Sequence, residues 1–162
     1  MGSLKGKLKK EKRRLALVRQ CGDCDTCCTV MNVDATDLPE IGALKPAGTK
    51  CSMLKTEGSG CSVYERRPTV CRIWSCVWRM GGFSEDEHPQ KIGIMLAGDN
   101  VNGLNVMYAY EAREGAFDTD EARAFFFKYS EKTPIALVGR TTTYGPPDLI
   151  ERMRAHALIG SS

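Results

Sequence analysis

The sequence predicts an α+β fold, with a small loop-rich cysteine module packed on a layer made of a β-hairpin plus helices. Two observations predict it. All eight cysteines fall between Cys21 and Cys76, in a stretch of glycine, proline and polar turns that offers only short apolar runs. From residue 90 onward there is no cysteine, and apolar residues recur at strand and helix periods. At 162 residues the chain suits one compact unit. Its regions are a basic helical lead over 1–20, the cysteine module over 21–87, and a small α+β segment over 88–162 that completes the unit.

The lead carries eight Lys or Arg and one Glu, and Leu4, Leu8, Leu15 and Val18 share one side of a helical plot. Such a segment suits an acidic partner surface, an anionic membrane or nucleic acid, and residues 1–20 are the only basis for a nucleic-acid role. The plainer reading is a solvated terminal helix. No apolar run approaches the length needed to span a bilayer, and no apolar stretch follows the basic start as in a secretory signal. The expectation is a cytoplasmic protein.

The module includes turns such as Lys45-Pro46-Ala47-Gly48 and has too little hydrocarbon for a core of its own. Beyond it, Ile92 to Leu96 and the alternating Leu104, Val106, Tyr108 and Tyr110 predict a β-hairpin joined at a Gly/Asp/Asn turn, its second strand half-buried. Asp118 with Glu121 resembles a capping box, and Ala122, Phe125, Phe126 and Tyr129 follow at helical spacing. Ile135 to Val138 predicts another strand. Gly145-Pro146-Pro147-Asp148 then precedes a last helix with Leu149, Met153 and Ala157 inward.

The chemistry is concentrated in the cysteines. In a reducing compartment clustered cysteine points to metal before disulfides. Both histidines, His88 and His156, lie outside the cluster, so the expected ligand set is cysteine alone: Cys21, Cys24, Cys27, Cys28, Cys51, Cys61, Cys71 and Cys76. The run Cys21-x2-Cys24-x2-Cys27 matches part of a ferredoxin-type spacing, and each Cys-x2-Cys pair would equally serve zinc. Adjacent side chains diverge, so Cys27 and Cys28 serve two centres or one of them bridges metals. Charge supports no strong basicity. The formal +3 becomes −5 with eight thiolates, and two divalent centres return it to −1.

These residues resemble the CxxCxxCC family of zinc- or iron-chelating proteins. The likeness rests on Cys21-x2-Cys24-x2-Cys27-Cys28, Cys51-x2-Leu54, and the run from Cys61 through Tyr64-x2-Arg67-Pro68 and Cys71-Arg72 to Cys76. It implies metal chelation through these cysteines and implies no reaction. Arg66, Arg67 and Arg72 are candidates to stabilise an anionic thiolate centre, with Arg72 favoured because it adjoins Cys71. Pro68 is expected to fix a turn or start a helix carrying Cys71 to Cys76, with Trp74 and Trp78 sharing one face.

No phosphate-binding glycine loop, dinucleotide fingerprint or nucleophile–histidine pair is present, and both histidines are expected to be solvated. The expectation is therefore a metal-binding protein without a catalytic constellation. Its zinc or iron–sulfur centre is mainly structural and supports binding of a protein partner. The alternatives are an iron–sulfur redox or enzyme-accessory protein, and a disulfide-stabilised component of a larger assembly.

Overall fold

The computed structural model describes residues 19–33, 45–57 and 60–160. The basic lead, apart from Arg19 and Gln20, lies outside the described residues. Within them the α+β class holds. Helices α1 (Thr26–Val30), α2 (Thr69–Ile73) and α3 (Pro89–Ile92) are short. Strands β1 (Ile94–Val101) and β2 (Leu104–Glu111) follow, then helix α4 (Asp120–Ser130), β3 (Ile135–Leu137), β4 (Thr143–Tyr144) and helix α5 (Pro147–Ala155).

The expected hairpin is β1–β2, in antiparallel register from Ile94 opposite Glu111 to Val101 opposite Leu104. Asn102 and Gly103 close it, both at positive φ (51° and 81°), the conformation that a two-residue turn needs to match strand twist. The sheet then extends beyond the hairpin. Strand β3 joins β2 in parallel after the chain returns through α4, and β4 adds antiparallel, giving the order β1-β2-β3-β4.

Strand β2 is buried on both faces, not the one that its alternation suggests. Met107 and Ala109 pack with Ile94, Leu96, Ile135, Phe125 and Phe126 on one face. Leu104 and Val106 pack with Ala136 and Met153 on the other. A helix covers each face, so inward and outward positions alike need hydrocarbon. Phe126 and Met153 are fully buried anchors of α4 and α5.

Two boundaries differ from expectation. Thr119, not Asp118, caps α4, its Oγ1 accepting from the Ala122 amide at 3.0 Å. The carboxylate of Asp118 instead accepts from Arg140 at 3.1 Å. Helix α5 ends at Ala155, and Ala157 lies past it at φ 55°, exposed; Leu158 and Ile159 supply the closing apolar contact.

The module is stitched to this layer by few but specific contacts. The Val77 amide donates to Leu96 O at 2.9 Å, and Val77 and Trp78 pack on the α4-side core, which includes Phe83. Gln90 of α3 donates to Asp25 Oδ1 at 3.0 Å, beside the first cysteine loop. Glu87 is the polar hinge of the contact: it accepts from the Ser84 amide (2.7 Å), Lys128 Nζ (2.9 Å) and Tyr129 Oη.

Burial alone would raise the carboxyl of Glu87, but the hydrogen bonds from Tyr129, Lys128 and Ser84 win and hold it down to about 2. A depressed acid stabilises the fold above its ordinary pKa near 4.5, and that stability is lost as pH falls toward 2. Glu87→Gln should therefore cost about 1–3 kcal/mol at pH 7. Melting curves of both proteins across pH should show the gap closing between about pH 4.5 and 2.

Candidate metal centre

Four local structures deliver the cysteines. Cys21 and Cys24 sit on a tight turn, with the Cys24 amide donating to Cys21 O at 2.9 Å. Cys27 and Cys28 ride on α1. The Cys51 amide donates to Cys28 O at 2.9 Å, and a bridge between Leu54 and Cys61 folds the next loop back, holding Cys51 and Cys61 together. Cys71 lies on α2 and Cys76 follows it in a non-helical segment. Gly60, at φ 92°, presses this loop onto the first one; a Cβ there would meet Gly22 O at 3.3 Å.

All eight cysteines line one cavity of about 150 Å³, half-buried, and no two are joined as a disulfide. Among the described residues no three His, Cys, Asp or Glu side chains stand at ion-holding separation, so the thiols ring a space without closing on a point. Cys27 and Cys28 both reach it from one helical turn; the divergence expected of neighbours does not send them to separate cavities.

Burial pushes up the thiols of Cys24, Cys71 and Cys76, the last to about 11. Cys27 is raised most, first by the adjacent Cys28 thiol and then by burial. Removing their protons requires a compensating charge. Among the described residues the cavity is lined by the cations Lys45, Arg67 and Arg79 and by no Asp or Glu.

Lys45 is the feature that the sequence did not reveal. It is only 7% exposed, and its ammonium donates to the carbonyls of Thr29 (3.3 Å) and Met31, at the end of α1. Burial lowers its pKa, while the thiols of Cys51, Cys28, Cys27 and Cys71 act to raise it. A buried ammonium whose partners among the described residues are carbonyls favours anionic neighbours, and the nearby thiols can supply them as thiolates. Lysine in a Lys-Pro turn reads as a surface residue, so no pattern marks it.

The arginine expectation is corrected in its favoured member. Arg72 and Arg66 are exposed, and Arg72 donates to Thr69 Oγ1 at 3.1 Å. Arg67 is the one on the cavity, its guanidinium stacked 3.7 Å over the ring of Tyr64. The Trp74 and Trp78 expectation is corrected too. Both line the cavity, but α2 ends at Ile73 and Trp74 is extended, because the chain turns to give the Val77 amide to the sheet. His88 is not freely solvated: its ring packs edge-on against Trp78 at 4.4 Å, and its Nδ1 caps α3 by accepting from the Gln90 amide.

Residues 20–92 match a family model, CxxCxxCC, described as a putative zinc- or iron-chelating domain. Over these residues the chain is similar to that domain. The match takes in 73 of the 162 residues and every cysteine. No curated protein and no solved structure matches the chain. No helix among the described residues is long and apolar enough to cross a membrane. The matched segment thus ends where the sheet begins, and Met95 of β1 closes the cavity from outside it.

Raised thiols stay protonated at neutral pH, so in metal-free protein Cys24, Cys27, Cys71 and Cys76 should react with a disulfide reagent more slowly than free cysteine. Site-resolved alkylation by mass spectrometry checks this. For Cys76 the gap should narrow as pH climbs toward about 11.

Proposed function

We propose that the CxxCxxCC domain holds zinc or an iron–sulfur cluster through Cys21, Cys24, Cys27, Cys28, Cys51, Cys61, Cys71 and Cys76, and that the centre is mainly structural. One observation carries this: among the described residues, eight thiols and three cations, without a carboxylate, share one cavity. The donor set fits. Thiolate sulfur suits both zinc and iron–sulfur chemistry, and hard-ion sites would call for oxygen ligands. The buried Lys45 ammonium fits an anionic metal–thiolate core better than a ring of neutral thiols.

A structural role follows from what else is buried. Of the core hydrophobics before Phe83, only Val30 comes from the described part of the module. Both apolar clusters are built from residues of the sheet and its helices, with Val77, Trp78 and Phe83 as the module's share. A segment with so little hydrocarbon takes its folding energy from metal–ligand bonds. The exposed module, with the basic lead of 1–20, then serves a protein partner in a reducing compartment such as the cytoplasm. Nucleic acid is the lesser partner, resting on the lead's charge alone.

A second reading is an iron–sulfur redox or enzyme-accessory protein. Its support is the Cys21-x2-Cys24-x2-Cys27 spacing together with the Met53 amide donating to Cys51 Sγ at 3.4 Å, a contact of the kind that tunes cluster potentials. Bound zinc would supply a cross-link without redox chemistry, and a cluster would supply an electron site.

Elemental analysis with a visible spectrum, on protein purified without oxygen, tests both readings. About two zinc per chain and no colour support closed thiolate sites. Iron with sulfide and a broad visible band supports the second reading. Protein lacking metal and unchanged by added zinc or by iron with sulfide sinks both. Stripping the metal should abolish amide-exchange protection across 21–76 and spare much of that in β1 and β2.

A further inference from the structure

We infer that Arg67 is the cation that braces the metal–thiolate centre, donating an N–H to its sulfur from a side chain fixed in advance by Tyr64. This rests on the metal-binding reading above and assigns a role within it. Arg67 lines the thiol cavity, and its Nε is buried without a hydrogen-bond partner among the described residues. An orphaned, fully charged donor of this kind is costly, and folded proteins rarely leave one. The other two described cations on the cavity have protein acceptors: Lys45 has the carbonyls of Thr29 and Met31, and Arg79 has Arg19 O and Ser75 Oγ at 3.1 Å each.

The side chain is also held for the task. The ring of Tyr64 lies 3.7 Å from the guanidinium carbon, and Tyr64 Oη is itself tied to Gln20 Oε1 at 3.2 Å. Pro68 follows at once and opens α2, which carries Cys71 one turn on. Stack and proline together limit the rotamers of Arg67, so little entropy remains to be lost when it donates. Planar guanidinium suits this position better than an ammonium, which could not stack and donate in the same fixed plane. Arg66, one residue earlier, is exposed and has none of these features.

The test uses the full chain loaded with cobalt(II) as a coloured stand-in for zinc, and with iron and sulfide in parallel. Arg67→Gln, Arg67→Lys and Arg66→Gln are compared with the parent. Chelator competition should show Arg67→Gln losing metal affinity by about 10- to 100-fold, with Arg66→Gln unchanged. The sulfur-to-metal charge-transfer band of Arg67→Gln should shift, as loss of an N–H donor to sulfur requires. Arg67→Lys, which keeps charge without the planar fork, should fall between. Full retention and an unshifted band in Arg67→Gln, or complete rescue by Arg67→Lys, would overturn the assignment while leaving the metal reading intact. A parent chain that takes up neither cobalt nor iron overturns both. If Arg67→Gln does not fold, the band of Arg67→Lys decides: a shift supports the assignment and identity with the parent ends it.

Discussion

Thiols and cations crowded around one cavity must settle their charge together, and the described residues between 19 and 92 are arranged around that requirement. Burial resists ionising Cys24, Cys71 and Cys76, and Cys27 resists most of all. Burial equally resists an ammonium at Lys45. Neither difficulty is relieved alone. With the two divalent centres proposed, eight thiolates would leave −4, and the described cations Lys45, Arg67 and Arg79 would bring the sum near −1. Loss of any of these cations would then leave desolvated negative charge behind, and among the described residues no carboxylate on the lining adds to it.

The rest of the fold provides a rigid wall for this assembly. Among the described residues the sheet and its two covering helices hold most of the buried hydrocarbon, including Phe126, Ile135 and Met153. Arg19 braces the part of the module that packs on this wall: its guanidinium donates to Trp78 O and Phe83 O at 2.9 and 2.8 Å and lies over the Trp78 ring. In sequence Arg19 is one more charge of a basic lead, yet in the structure it is a clamp. Glu87 does the same from the other side through Tyr129 and Lys128.

What the sequence made legible follows from where the information is local. The hairpin, the α4 stripe of Ala122, Phe125 and Phe126, and the clustering of cysteines are all short-range patterns, and each appears in the structure. The Thr119 cap was missed by one residue because Asp118 and Thr119 are both good caps and only the distant Arg140 claims Asp118. The choice among Arg66, Arg67 and Arg72 depended on which way α2 faces, which adjacency to Cys71 does not reveal. Lys45 was invisible for the same reason. Its burial comes from the meeting of α1 with a later loop, and no periodicity in the chain encodes that meeting. The short helix after Pro68 was over-extended because a competing hydrogen bond, Val77 to Leu96, lies 19 residues away in sequence.

That last hydrogen bond has a consequence for the protein in company with itself. Strand β1 ends the sheet, and Ile94 to Ala97 are buried apolar residues. An uncovered outer strand of this kind offers a row of backbone groups to any passing strand, including one from another copy. The Val77 segment lies along it and occupies Leu96 O. If the cavity's contents hold that segment in place, they also act as a guard against self-association. Release of that segment would then leave Leu96 O open to a strand from another copy.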